Sequence, residues 1–240
     1  MTSVALMIDP EADKPVPAVQ VAGAVLHPDV SGALWWQREA VLVVADLHLE
    51  KGSAIAGRGA LVPPYDTAAT LQRLARTIED YRPRTVIALG DSFHDVGAGD
   101  RLPDPYREAL ERLQTGRDWL WIAGNHDPAR PANVRGDWFD ELAIGGLCFR
   151  HEPDPASPAG EIAGHLHPVA KVRLRGRGVR RRCFAGDGRR LVMPAFGAFT
   201  GGLNILDEAY AGLFDPAALA AWMIGGNAVY PIPGRKLLAG

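Results

Sequence analysis

Ala40-Val-Leu-Val-Val-Ala-Asp-Leu-His48 joins a strand-length apolar run to a carboxylate and an imidazole that follow it without a break. A short, continuous run rich in branched residues reads as a buried strand of a parallel sheet. Open α/β sheets carry their chemistry just beyond the carboxyl ends of such strands. On period-2 alternation Asp46 and His48 point to the same side, so one ion can take both. The pattern recurs downstream. Thr85–Leu89 runs into Gly90-Asp91, and Trp119–Ala123 into Gly124-Asn125-His126-Asp127. Leu147-Cys-Phe-Arg ends in His151, and Gly164-His165-Leu-His167 is a second same-side pair. Each block alone is weak. Five in order, holding Asp, Asn and five of the seven histidines without a cysteine, indicate one metal centre.

Between the first two strands Leu71, Leu74, Ala75 and Ile78 recur at helical spacing, and Tyr81-Arg82-Pro83 stops the helix. A second helix is expected over Pro105–Gln114. After Gly145 short strands dominate: Leu147–His151, Val169–Leu174, Val179–Phe184 and Leu191–Ala195. A short helix near Pro216–Met223 and a last strand near Ala228–Ile232 complete the pattern. An α/β half is thus followed by a β-rich half with no linker. The expectation is a loose lead-in over 1–18 and one domain with two sheets over 19–240.

The 240 residues are 47% hydrophobic and 22% charged, which supports a buried core and excludes a disordered chain. The N-terminus lacks the basic and apolar regions of a secretory leader, and no apolar run approaches the ~20 residues that span a bilayer. Two cysteines, Cys148 and Cys183, make no disulfide framework. A soluble cytoplasmic protein without a membrane partner is expected. The formal charge of −2 conceals a split, because residues 171–190 carry nine basic groups and one acid, leaving the remainder at −10. Most of the surface should repel a polyanion while one segment attracts it.

The five blocks resemble the calcineurin-like metallophosphoesterase superfamily, whose pattern is D-x-H, G-D, G-N-H-D/E, H and G-H-x-H; all are intact between Asp46 and His167. The resemblance implies an α/β fold, a four-layer αββα sandwich of two mixed sheets. It also implies two divalent metal ions: Asp46, His48 and His167 on one, Asn125, His151 and His165 on the other, Asp91 bridging. Mixed N/O ligands suit Mn²⁺, with Fe or Zn²⁺ as alternatives, better than Ca²⁺. A bridging carboxylate holds two ions ~3.5–4 Å apart, a spacing that clamps both oxygens of an in-line displacement. The reaction implied is attack of a metal-bridging hydroxide on phosphorus. His126 has no metal in this scheme and is expected to stabilise charge or protonate the leaving alkoxide. Asp127 either fixes the His126 tautomer or caps the turn at Pro128.

Asp46–Ser53, Gly90-Asp-Ser-Phe-His-Asp95, His151-Glu-Pro153, Gly164–Pro168 and Pro194-Ala-Phe-Gly197 look like the bacterial ligase-associated DNA damage response endonuclease branch of that superfamily. The likeness implies a phosphodiesterase acting on DNA in repair, with DNA ligase and helicase partners. A phosphohydrolase of small or cyclic nucleotides is the alternative. Lys171, Arg173 and Arg175 would share one strand face, and Arg180, Arg181 and Arg182 add to a basic ridge that a phosphate backbone could follow. The same charges suit a solvated edge strand, where they block aggregation. Lys51 and Arg58 are candidates for a phosphate contact and equally for a plain surface role. His94 and Asp95, close to Asp91 in sequence, are candidate supports for the ligands.

Overall fold

The computed structural model describes residues 17–52, 65–198 and 200–240. Residues 1–16 of the expected lead-in, together with Ser53 and Arg58, lie outside the described residues. The first sheet runs in chain order through β1 (Val19–Val21), β2 (Ala24–Pro28), β3 (Leu34–Trp36), β4 (Val41–Ala45), β5 (Thr85–Leu89), β6 (Asp118–Ile122) and β7 (Asp137–Phe139). β1 to β4 form an antiparallel meander, and β4 to β7 are parallel. The second sheet holds β8 (Glu141–Ile144), β9 (Leu147–Arg150), β10 (Glu161–Ala163), β11 (Val169–Leu174), β12 (Arg177–Gly186), β13 (Arg190–Val192), β14 (Ala220–Ile224) and β15 (Val229–Pro233). Its order is β15-β14-β12-β13-β10-β9-β8, with β11 paired to β12.

Every residue of β4 and β5 is buried, because both faces of the first sheet are covered. Val41, Val43, Ala45, Ile87, Leu89 and Ile122 point toward Phe149, Ile162, Phe184 and Leu191 of the second sheet. Leu42, Val44, Val86, Ala88, Trp119 and Trp121 point the other way. There they meet Leu71, Leu74 and Ile78 of α1 (Asp66–Tyr81) and Leu110 of α3 (Asp104–Gln114); α2 (Ala98–Arg101) is a single turn between them. α1 ends at Arg82, whose φ of 46° closes the last turn before Pro83. Trp35 and Trp36 take opposite faces of β3, as adjacent strand residues must.

The two mixed sheets and their flanking helices give the α/β sandwich expected from the sequence. Outside the second sheet, among the described residues, the covering layer is loop with two 3-10 turns (Glu208–Tyr210 and Gly234–Lys236) rather than α-helix. Ile205, Tyr210, Leu213 and Leu237 close over Cys183, Ala185 and Ala221. One expected element is corrected here. Residues 216–223 are not a helix, since Ala220–Ile224 is strand β14, hydrogen-bonded between β12 and β15. Alternating burial in a vacant sheet position outweighs the helix preference of an alanine-rich run. No helix among the described residues is long and apolar enough to cross a membrane.

Candidate metal centre

The register of three parallel strands builds the site. Ala45 pairs with Leu89 and Leu89 with Ile122, so Asp46, Gly90-Asp91 and Gly124-Asn125 leave the sheet side by side. In the facing sheet Arg150 pairs with Ala163, which brings His151 and Gly164-His165 out at a common level. The polar loops are then sewn together: His48 N donates to Asp91 O at 2.9 Å, Leu49 N to Ser92 O at 2.9 Å, and His94 N to Leu49 O at 3.0 Å.

The pairing of Asp46 with His48, and of His165 with His167, does not come from strand alternation as expected. All four residues lie beyond their strands, and their φ angles are 53°, 45°, 68° and 46°. Asp91 has a φ of 46°. Left-handed backbone is costly for a residue with a side chain, though Asp and His tolerate it best, and such strain collects at functional sites. It turns carboxylates and imidazoles inward within a very short stretch of chain. His165 and His167 consequently part company and serve different groups.

Two groups form. One ligand atom each from Asp46, His48 and His167 lies within 4.8 Å of the others, and the same holds for Asp91, His151 and His165. In the first, His48 Nε2 faces His167 Nε2 at 3.3 Å, and His167 Nε2 lies 3.3 Å from Asp46 Oδ1. In the second, His151 Nε2 meets Asn125 Oδ1 at 3.0 Å, His165 Nδ1 at 3.1 Å and Asp91 Oδ1 at 3.4 Å. A single ring nitrogen carries at most one proton and cannot satisfy three such neighbours. A shared cation can, so the residues present fit two metal ions. His151 Nδ1 lies 3.2 Å from Leu89 O, which holds the Nδ1–H tautomer and leaves Nε2 as donor to a metal.

The charges are arranged to match. Burial lowers the His48 pKa to about 4, so its imidazole is neutral and able to ligate at neutral pH. Asp91 is buried as well, and its Oδ1 accepts from His126 N at 2.9 Å. Asp46 is completely buried, and both its oxygens accept from His165 N, at 3.2 and 3.1 Å. Two glycines are required by space. A Cβ on Gly90 would stand 2.3 Å from the His151 ring, and one on Gly124 would stand 2.1 Å from Asp91 N.

His126 stands at the mouth of the site, its side chain 40% exposed and its Nε2 3.9 Å from Asp91 Oδ2. The group that sets its ring is not Asp127. His126 Nδ1 lies 2.9 Å from His94 O, and the two rings stack with centroids 5.4 Å apart. Asp127 is buried and accepts instead from Phe93 N and Gly124 N, each at 3.0 Å. Desolvation raises its pKa to about 6. It therefore clamps the Asp91 and Asn125 loops together and does not touch the His126 ring. Asp95 is turned away as well, held by Arg101 at 2.6 Å.

The basic segment is split. β11 and β12 form an antiparallel hairpin in which Lys171 opposes Arg180, Arg173 opposes Gly178 and Val169 opposes Arg182. Directly opposed residues share a face. Arg181 falls on the other side, against an apolar cavity of about 390 Å³ lined by Val172, Val179, Met223 and Tyr230. Arg175 is in the turn, with a φ of 48°. Arg182 is half-buried, its Nη1 donating to Ala195 O at 2.6 Å, so it belongs to the interior end of the hairpin and not to an exposed ridge.

Two ligand groups of Asp, His and Asn at the facing strand ends of a two-sheet sandwich are the apparatus of a metal-dependent phosphoester hydrolase. The family model for the calcineurin-like phosphoesterases matches residues 40–179, more than half of the chain. The chain belongs to that family. Among solved structures it is similar to the Pseudomonas putida nuclease MPE, with 29% identity, a TM-score of 0.70, and coverage of 90% of this chain and 99% of that one. No curated protein sequence matches it.

Proposed function

We propose that the protein is a nuclease that hydrolyses phosphodiesters of DNA with two divalent ions, Mn²⁺ first among the candidates. Asp46, His48 and His167 would hold one ion, and Asn125, His151 and His165 the other, with Asp91 shared. The observation that carries this reading is the convergence of His151 Nε2 on three ligand atoms within 3.4 Å, beside a second group of the same kind. Similarity over 90% of the chain to a protein described as a nuclease supports a nucleic acid as substrate. The motif likeness to repair-associated relatives supports a place in DNA repair.

When bound, two such ions supply charge neutralisation at the phosphate and a nucleophile at neutral pH. The chain's own residues do the rest. Asp46 and Asp91 supply a buried carboxylate to each ligand group. The carbonyl of His94 accepts from His126 Nδ1, so Nε2 faces the leaving oxygen and, when the ring is an imidazolium, passes it the Nε2 proton and is left as the neutral Nδ1–H tautomer. With His126→Ala, turnover of an activated phosphodiester should fall by about 10²–10⁴ while both metals stay bound, because no ligand is removed. Elemental analysis alongside kinetics checks this, and loss of metal would show His126 to be a structural support.

Substrate class is tested by turnover with added Mn²⁺ of a bis-aryl phosphate, an aryl monoester, cyclic nucleotides, and single- and double-stranded DNA. Cleavage of DNA and of the bis-aryl diester is expected. Turnover confined to monoesters or small nucleotides sinks the nuclease reading.

A further inference from the structure

Two guanidinium groups outside the ligand set meet beside it, on adjacent carbonyls of one short segment. Arg73 comes from α1 and Arg182 from β12, so helix layer and second sheet converge on one short segment. Arg73 Nη1 donates to Phe196 O and Arg182 Nη1 to Ala195 O, each at 2.6 Å. Arg73 also lies over the Phe196 ring, 5.5 Å from its centroid. Among the described residues neither forms an ion pair with a carboxylate. Each thus spends one member of a five-donor fork and keeps the others. Burial lowers the pKa of both, and the charge of Arg73 lowers that of Arg182 further. Like charges half out of water are unfavourable unless an anion joins them, and the planar fork of arginine suits phosphate.

The segment they hold borders the first ligand group. Phe196 N donates to Ala45 O at 2.8 Å and Gly197 N to Asp46 O at 3.1 Å, which puts its backbone one strand spacing, ~4.8 Å, from Asp46. Further on, a Cβ at Gly202 would stand 2.3 Å from His167 O. Arg180 Nη2 donates to Gly202 O at 2.6 Å. Along the shared hairpin face the cations run from Arg173 through Lys171 and Arg180 to Arg182, and Arg73 meets them at the inner end.

We propose that Arg73 and Arg182 form an anion subsite for a non-scissile phosphate of the nucleic-acid backbone, next to the Asp46–His48–His167 group. The hairpin face with Arg173, Lys171 and Arg180 leads the strand to it. This rests on the nuclease reading, which the unaltered protein tests separately.

The experiment measures kcat/KM of the manganese-loaded protein on oligothymidylate between 50 and 200 mM salt (roughly the range over which phosphate contacts show), and on a bis-aryl phosphate, which has no flanking phosphate. Arg73→Gln and Arg182→Gln should each raise KM for the oligonucleotide by about tenfold. Each should also reduce the slope of log(kcat/KM) against log[salt] by about 0.7, the share of one contact on a single strand. The ratio of oligonucleotide to bis-aryl activity should drop with them. Arg177→Gln and Arg181→Gln, on the opposite face, should keep the original slope. An unchanged slope in the Arg73 and Arg182 variants, or equal proportional loss on both substrates, overturns the subsite and leaves only support for the segment. If the unaltered protein cleaves the bis-aryl phosphate and not the oligonucleotide, the nuclease reading falls and the subsite with it.

Discussion

Asp91→Asn should lower kcat/KM for a bis-aryl phosphate by about three orders of magnitude, since a metal pair supplies several kcal/mol of charge stabilisation and each 1.4 kcal/mol is tenfold. The Asp91 carboxylate stands between His151 and His126. Its Oδ1 accepts from His126 N at 2.9 Å and lies 3.4 Å from His151 Nε2, and its Oδ2 lies 3.9 Å from His126 Nε2. The amide keeps the shape and can still accept from His126 N. It removes the negative charge and can turn an N–H toward any cation nearby. Metal content measured on the purified variant should fall below two equivalents. Chelation of the unaltered protein should abolish turnover, and Mn²⁺ should restore it. A variant with full metal content and near-native turnover would show that Asp91 is not the shared ligand.

Arg190→Ala should cost about 3–5 kcal/mol of folding stability, because it leaves a carboxylate buried without its partner. The Glu161 side chain is fully buried, and Arg190 Nη1 lies 3.4 Å from its Oε2 across the β10–β13 pair. Arg190 also donates to Asp154 O at 2.9 Å and to Pro155 O and Ser157 O at 3.3 Å, so it pins the loop that follows His151. Arg150 is a poor substitute: it lies 3.6 Å from Glu161 and also engages Glu141 and Asp154. At roughly 2–4 °C per kcal/mol for a chain of this size, the melting temperature should fall by about 10 °C.

The pH dependence has a definite sign. Burial already raises the Glu161 pKa, with Arg190 and Arg150 pulling the other way. Without Arg190 it rises further, and a carboxyl whose folded pKa is raised loses stability as pH climbs through that value. The gap between variant and parent should therefore widen from pH 5 to pH 8 in thermal unfolding. A gap that is constant or narrows contradicts the buried pair. The double variant Arg190→Met with Glu161→Gln should recover part of the loss, since no charge is then stranded.

Much of the fold was legible because burial on both faces leaves an unmistakable pattern. β4 and β5 occupy the residues read as strands, and α1 ends at the Arg82-Pro83 stop. Ala220–Ile224 was not legible as a strand, since a five-residue alanine-rich run has no pairing preference until β12 and β15 flank it. The meander of β1 to β3 is likewise made of very short strands, stabilised by neighbours more than by their own residues.

The candidate ligands were legible for a different reason. Each follows a buried strand directly, and residues that end adjacent parallel strands must emerge together, so order along the chain carries their proximity. Arg73 carried no such mark. It lies mid-helix, far in sequence from every motif, and reaches Phe196 across the helix–sheet boundary. The partner of His126 was also hidden, because a backbone carbonyl such as that of His94 leaves no trace in residue type. Sequence alone determined which residues have the chemistry to bind metal and which strands deliver them, through apolar runs and the donor atoms beside them. Only the tertiary structure decided how the two histidines of Gly164–His167 come to face different groups and which arginines share a face. Those choices rest on left-handed turns and cross-strand register, which arise from the packing of distant segments and not from the order of side chains.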